Sequence, residues 1–282
     1  MVERARKCMR FYFTTALVGA LLFFSGSGTL NAFEGEISIK GSTTVLPITQ
    51  ITSEIFMEYH RGVTISVQGG GSVFGITSLI EGTTDIAASS RRIAASESEK
   101  ALSRGITPVE TTIAIDGIAV VVHPSNIKNY LTMTQIRDIY IGKYSNWSEL
   151  GGQNRKIVVI SRDTSSGTFE SFRELVLDQA RVRPDALITA SNMTVKTTVG
   201  QTPGAIGYLG MGYLTDAIKD VRVDGVRCTR EAVRSGAYPL ARPLYLYTRG
   251  TPEGVVATYL DFILSPQGQL LIEKQGFIGV AR

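Results

Sequence analysis

A chain of 282 residues, 43% hydrophobic and 19% charged, is long enough to bury one large or two medium cores and too apolar for a disordered segment, a coiled coil or a nucleic-acid arm. Lys and Arg number 29 against 25 Asp and Glu, a formal +4 that on a folded domain would point to an anionic polymer or a membrane surface. Two cysteines, Cys8 and Cys228, make no disulfide framework, and 29 glycines are the second compositional anomaly.

The charge does not belong to the folded domain. Arg4, Arg6, Lys7 and Arg10 stand against Glu3 in the first ten residues, and an apolar run from Phe11 to Phe24 follows, interrupted only by Thr14 and Thr15. That run is shorter than the ~20 residues of a membrane span. Ser25-Gly26-Ser27-Gly28 then leads to Ala32, so residues 1–32 read as a secretory signal cut after Ala32, with retention as an N-terminal anchor the alternative. Removing them takes away four bases and one acid, and 25 bases against 24 acids leaves about +1. Cys8 precedes the apolar run and is not placed as a lipoprotein cysteine. Cys228 alone cannot form an internal disulfide, so a core of adequate size has to hold the exported domain together. No second long apolar segment follows, and a soluble mature protein is expected.

The mature chain alternates short apolar runs with helical periodicity, the pattern of an α/β protein with a largely parallel sheet. Glu36 to Lys40 alternates like a strand, Gly41-Ser42-Thr43-Thr44 intervenes, and Ile48, Ile51, Ile55, Phe56 and Tyr59 fall on one helical face. Val63, Ile65 and Val67 alternate, Gly69-Gly70-Gly71-Ser72 intervenes, and Val73, Ile76, Leu79 and Ile80 recur at helix spacing. Ile113 to Val122 is apolar except for Asp116 and Gly117, with the length of a strand passing between two lobes. Ile157 to Ile160 is a buried-strand run, Ser161 to Thr168 intervenes, and Phe169, Phe172, Leu175 and Val176 follow. Leu244 to Tyr247, after Pro239 and Pro243, reads as a return strand. Helices are expected over Thr258 to Leu264 and Gln267 to Lys274. There is no internal repeat, low-complexity tract or long linker.

Strand, hydroxyl-and-glycine turn, helix thus occurs three times. A helix N-terminus carries unpaired backbone N–H groups and a partial positive charge, and glycine lets that backbone approach a ligand closely. One such turn is an ordinary cap. Three can converge on one small anion, because in α/β folds the turns at strand carboxyl ends gather on one side of the sheet. Arg162 in the third turn offers a planar fork to two oxygens of a tetrahedral anion. Arg91 and Arg92, after Ser89-Ser90, either join that edge or sit in a solvated loop. Asp116 repels an anion unless the anion donates a proton to it, which would favour protonated phosphate over sulfate. It reads equally as a turn residue before Gly117 or as a partner that orients an arginine.

Gly41-Ser42-Thr43-Thr44-Val45-Leu46-Pro47, Gly69-Gly70-Gly71-Ser72, Asp85-Ile86-Ala87-Ala88-Ser89-Ser90-Arg91 and Arg162-Asp163-Thr164-Ser165-Ser166-Gly167-Thr168 carry a resemblance to the periplasmic phosphate-binding proteins of ABC importers. Pro203 to Tyr208 and Tyr238 to Tyr245 are similar to family segments as well, and the resemblance spans residues 36–282. It implies a type II periplasmic binding protein: α/β, with two Rossmann-like lobes joined by a two-strand hinge, lobe 1 over residues 33–121 and 241–282 and lobe 2 over 122–240. It also implies inorganic phosphate as ligand, a membrane permease as partner, the periplasm as location and a monomer. The candidate ligand set is Ser42, Thr43, Thr44, Ser72, Ser90, Arg91, Asp116, Arg162, Ser165, Ser166, Gly167 and Thr168. Where the best-known members carry an aspartate that accepts the phosphate proton, this chain has Ser90 followed by Arg91. Asp116 is expected to substitute as acceptor and Arg91 to act as an added ligand.

Other functions fit less well. The only histidines, His60 and His123, form no metal set, and neither a Gly-x-Ser-x-Gly elbow nor a Walker loop occurs. Ser125 and Lys128 match Ser-x-x-Lys without the partner motifs of that acyl-transfer set. No enzyme, cofactor, metal or nucleic-acid partner is expected. A binder of sulfate or molybdate is the nearest rival, followed by a hydrolase and by an adhesion or signalling module.

Overall fold

The computed structural model describes residues 34–280, so the expected signal segment and Cys8 lie outside the described residues. The chain first lays down β1 (Gly35–Gly41), α1 (Leu46–Tyr59), β2 (Val63–Gly69), α2 (Ser72–Glu81), β3 (Ile86–Ser89), α3 (Ala95–Ser103) and the long β4 (Val109–Val122). It continues through β5 (Tyr130–Leu131), α4 (Met133–Tyr140), β6 (Val158–Arg162), α5 (Gly167–Leu175), β7 (Leu187–Thr189), α6 (Asn192–Gln201), β8 (Ala205–Gly210), β9 (Lys219–Asp220), β10 (Arg222–Val223) and α7 (Arg230–Arg234). It returns through β11 (Ala241–Thr248), α8 (Gly254–Leu264), α9 (Pro266–Lys274) and β12 (Ile278–Gly279).

The main sheet runs β2-β1-β3-β11-β4-β8-β6-β7. Each end is parallel: β1 lies between β2 and β3, and β6 lies between β7 and β8. β4 and β11 enter antiparallel between them, so the sheet is mixed rather than largely parallel. β4 changes partner along its length. Residues up to Gly117 pair with β11, and Ile118 to Val122 pair with β8. One strand thus belongs to two half-sheets, and β11 brings the chain back beside its first part.

The halves have separate cores, as expected when helices cover both faces of each parallel segment. Ile37, Ile39, Ile48, Phe56, Ile86, Leu244, Tyr259 and Ile263 pack together under α1 and α8. Ile118 to Val122, Ile139, Tyr140, Trp147, Ile160, Phe172, Tyr208 and Leu209 form the second core. Local chemistry sets the elements that matter for the site. Pro47 in its first turn costs α1 no hydrogen bond. Gly82 ends α2 in the left-handed conformation, its N–H closing on Leu79 and Ser78. Ser166 caps α5, its hydroxyl oxygen accepting the Phe169 N–H at 3.2 Å.

Among the described residues no single helix is long and apolar enough to cross a membrane. Cys228 is buried, and a Cβ on Gly117 would come within 2.6 Å of its sulfur. Burial pushes the thiol well above its ordinary pKa, and the Asp116 carboxylate adds to the rise. A chain beginning at residue 33 is therefore expected to show no reaction with a thiol reagent while native at neutral pH, and one reactive thiol once unfolded in guanidinium. Rapid labelling of the native chain would contradict this burial.

Candidate functional site

The three hydroxyl turns meet where the half-sheets face one another. Ser42, Thr43 and Thr44 follow β1, Ser72 opens α2 and Ser90 follows β3, all in the first half. Ser166 and Thr168 open α5 in the second half. All seven are buried. The contact across the halves is tight enough to require glycine. A Cβ on Gly167 would stand 2.3 Å from Ser72 Oγ and 2.8 Å from Ser90 Oγ, and Gly71, at φ 95°, would meet the Ser165 carbonyl oxygen at 2.5 Å. The Val73 N–H also donates to that carbonyl, at 3.1 Å.

Arg162 is 2% exposed at the end of β6. Its backbone N–H donates to Tyr208 Oη at 3.1 Å, and that ring stacks on Phe172 at 3.9 Å between centroids. Burial holds the Tyr208 phenol up at about 12, so it stays a neutral partner. The Arg162 guanidinium donates from Nε to the Thr189 carbonyl at 3.2 Å and from Nη2 to the Ala190 carbonyl at 3.0 Å. Its Nη1 is buried and makes no hydrogen bond. Two other buried atoms lack a hydrogen bond, Arg91 Nε and Asp138 Oδ1, and each has an ion-pair partner, Glu170 and Lys143 respectively. Among the described residues only Arg162 Nη1 is left with neither. Burial lowers its pKa, Asp163 opposes the shift, and the neighbouring Arg242 charge adds to it.

Asp116 and Arg242 face each other directly across β4 and β11 at the point where β4 changes partner. Arg242 Nε and Nη2 donate to Asp116 Oδ2 at 3.1 and 2.9 Å, and the Met211 N–H donates to Oδ1 at 2.9 Å. Burial raises the carboxyl pKa and the guanidinium opposes the rise. Asp116 is wholly buried with both of its oxygens engaged, the arrangement of an arginine partner, one of the readings the sequence left open. Arg242 reaches on to Thr168 Oγ1 at 2.9 Å, Thr44 Oγ1 at 3.3 Å and the Gly167 carbonyl at 3.3 Å. Asn192, at the start of α6, donates from Nδ2 to Thr43 and Thr44 at 3.1 and 3.0 Å.

Three expected ligands are engaged elsewhere. Ser42 Oγ accepts the Thr44 N–H at 3.1 Å and shapes its own turn. Ser165 Oγ shares its one proton between Asp163 and the Gly70 carbonyl, bracing the halves together. Arg91 grips Glu97 with both Nη atoms, at 2.7 and 2.8 Å, and pairs with Glu170 across the halves. Two carboxylates thus neutralise the charge that was to serve as an added ligand. Arg92 lies against Tyr245. Arg242 and Asn192 are the site residues that sequence reasoning misses. A lone arginine just before Pro243, in an otherwise apolar strand, is the same signal as Asp116 in its own apolar run, and the two answer each other. Among the described residues no group of three or more His, Cys, Asp or Glu could hold a metal.

Residues 27–267 match the model of the PBP superfamily domain. The Bacillus subtilis phosphate-binding protein PstS is 34% identical over 87% of this chain and 81% of its own length, and PstS of Borreliella burgdorferi is 31% identical over 86% and 90%. A Clostridium perfringens phosphate ABC transporter substrate-binding protein, crystallised with bound phosphate, superposes with a TM-score of 0.82. It is 35% identical, over 88% of this chain and all of that one.

Removing one partner of a buried ion pair costs on the order of 3 to 5 kcal/mol. Arg242→Gln removes the charge that opposes the rise of Asp116, so the folded variant holds a proton that the unfolded chain has already released. Its stability is expected to fall, relative to the unsubstituted protein, as pH rises from the ordinary carboxylate range towards neutrality. Urea midpoints at about pH 5 and about pH 8 check this. A variant deficit that shrinks at the higher pH would show that Asp116 does not depend on Arg242.

Proposed function

Because the chain belongs to the PBP superfamily and, within it, to the PstS phosphate-binding proteins, we propose that it is an extracytoplasmic receptor that captures inorganic phosphate between the halves of its sheet and delivers it to an ABC-type membrane permease. The observation that carries this reading is the buried Arg162 fork with one arm unpaired, at the end of the strand whose following turn brings Gly167 and Thr168 against the Ser72, Ser90 and Thr44 hydroxyls of the other half. An uncompensated buried guanidinium is costly, and a small oxyanion is the partner that compensates it. The N-termini of α2 and α5 add backbone donors and partial positive charge on two sides of the same point. Hydrogen bonds to a charged group contribute roughly 1.5 to 3 kcal/mol each, so five or six reach micromolar affinity, about 8 kcal/mol, after the cost of association.

In this reading residues 33–121 with 241–282 form one lobe and 122–240 the other, and the crossing strands β4 and β11 are the hinge. Residues 1–32 direct export and the receptor works as a monomer. Binding and release need no covalent step. His123 Nδ1 does lie 2.8 Å from Ser125 Oγ, but the same nitrogen accepts the Ser125 N–H at 3.1 Å, the geometry of a local turn in an exposed segment. The P–OH of hydrogen phosphate keeps its proton and donates a hydrogen bond to the Ser90 hydroxyl oxygen, which stands 3.4 Å from Ser72 Oγ, rather than to Asp116.

Calorimetric titration with inorganic phosphate is expected to give a Kd of about a micromolar or tighter. Arg162→Ala is expected to raise that Kd by about a hundredfold. No phosphate heat from the unsubstituted protein would sink this reading. Asp116→Asn is expected to weaken phosphate and sulfate together, leaving their ratio within about threefold. A selective gain for sulfate would restore Asp116 as the proton acceptor.

A further inference from the structure

Thr44 and Thr168 come from opposite halves of the sheet, and their buried hydroxyl oxygens stand 2.9 Å apart. Two groups that can only donate close on them. Arg242 Nη2 donates to Thr168 Oγ1 at 2.9 Å and, sharing its two protons among three acceptors, to Thr44 Oγ1 at 3.3 Å. Asn192 Nδ2 donates to Thr44 Oγ1 at 3.0 Å and to Thr43 Oγ1 at 3.1 Å. The orientation of the amide follows from its other end, where Oδ1 accepts the Gly210 N–H at 3.1 Å. Arg242 is equally fixed, held by Asp116 on one side and by the Gly167 carbonyl on the other.

A hydroxyl has two lone pairs and one proton, and a guanidinium has donors only. With Asn192 and, at longer range, Arg242 on its oxygen, Thr44 has at most one lone pair left for Thr168, and its own proton points away from both donors, to Thr168 or to a bound oxygen. If it goes to Thr168, that oxygen accepts from both Thr44 and Arg242, and the Thr168 proton is then left to point at a bound oxygen. In either arrangement protons run outward from Arg242 and Asn192. Resting on the oxyanion reading above, we propose that Arg242 and Asn192 are positioning residues that fix the polarity of the Thr44–Thr168 hydroxyl pair, so that this corner of the site presents protons and takes an unprotonated anion oxygen. Arg242 does this from the hinge strand β11, touching Thr44 in one half and Gly167 and Thr168 in the other.

Calorimetry of inorganic phosphate binding tests this on the purified protein and four variants, with thermal unfolding and the fluorescence of Trp147 reporting the fold. The unsubstituted protein is the control for the oxyanion reading. If it binds no phosphate, that reading fails and this inference with it; if it binds, the variants test the inference alone. Asp116→Leu with Arg242→Met removes the donor while keeping the local charge balanced. A buried pair exchanged for apolar side chains commonly leaves stability intact. This double variant is expected to melt within about 5 °C of the unsubstituted protein and to bind phosphate at least about tenfold more weakly. Arg242→Lys keeps a cationic donor facing Thr168 and is expected to recover binding to within about threefold. Asn192→Ala removes the second donor without touching the ion pair and is expected to raise Kd about fivefold, and it decides the matter if the double variant does not fold. Asn192→Asp, with an acceptor of the same shape, is expected to weaken binding more than Asn192→Ala. A folded double variant that binds within about threefold of the original, an Arg242→Lys variant as weak as the double variant, or an Asn192→Ala variant with unchanged Kd would each overturn the proposal.

Discussion

The ion pair between Asp116 and Arg242 joins everything else in this molecule. It lies on the two strands that connect the half-sheets, at the residue pair where β4 is about to leave β11 for β8. An ion pair buried to this degree is a poor source of stability, since desolvating two charges offsets most of their attraction. Its value is positional. Asp116 holds the guanidinium rigid on the hinge, and the guanidinium touches a carbonyl and two hydroxyls that belong to opposite halves. The seam between the halves is thereby specified by directional contacts rather than by apolar area, as suits a surface that must part and close again.

The same seam explains how a nearly neutral domain attracts an anion. With about as many bases as acids in residues 33–282, long-range steering is weak, and attraction has to be built where the ligand sits. Arg162 and Arg242 are buried, Arg242 engaged by the Asp116 carboxylate and Arg162 flanked by Asp163, in a setting where each charge counts for more than at the surface. The backbone supplies the remainder, through helix N-termini that the glycines allow to come close. Gly167 is the clearest case: any side chain there would push Ser72 and Ser90 away from the turn that carries Arg162.

Much of this is legible from the chain alone because it is local. Glycine and hydroxyl residues between a strand pattern and a helix pattern mark β1–α1, β2–α2 and β6–α5 within a few residues of where they fall. The crossing strand is legible in the length of its apolar run, and the return strand in the run that ends at Tyr247. What depends on distant partners is not. Arg242 and Asp116 are 126 positions apart, and Asn192 reaches Thr44 over 148. Arg91 sits beside the right hydroxyls in sequence and is turned aside by Glu97 and Glu170, neither of which a local pattern can place. The antiparallel entry of β4 and β11 between the two parallel ends of the sheet is likewise a fact of topology. The family resemblance adds the fold and the ligand class, but it transfers residue by residue, and it gives no role to Arg242, which lies in the similar Tyr238 to Tyr245 segment and outside the ligand turns.

With both Asp116 oxygens engaged by Arg242 and the Met211 N–H, the proposed site has no free carboxylate with which to select its ligand. A carboxylate facing the ligand would reject sulfate by repulsion, whereas a hydroxyl such as Ser90 merely accepts a proton when one is offered. Rejection must then come from counting donors. In the proposed arrangement the Thr44–Thr168 pair offers a proton, Arg162 and the α5 backbone likewise, and a fully ionised oxygen suits each of them. Hydrogen phosphate brings one proton of its own, which needs a lone pair, and the Ser72–Ser90 edge is where hydroxyl lone pairs are least committed to fixed donors. The proposed site would then have a direction, with protons supplied from the β11 side and an acceptor at the Ser72–Ser90 edge. A tetrahedral anion with a single proton fits that arrangement in one orientation.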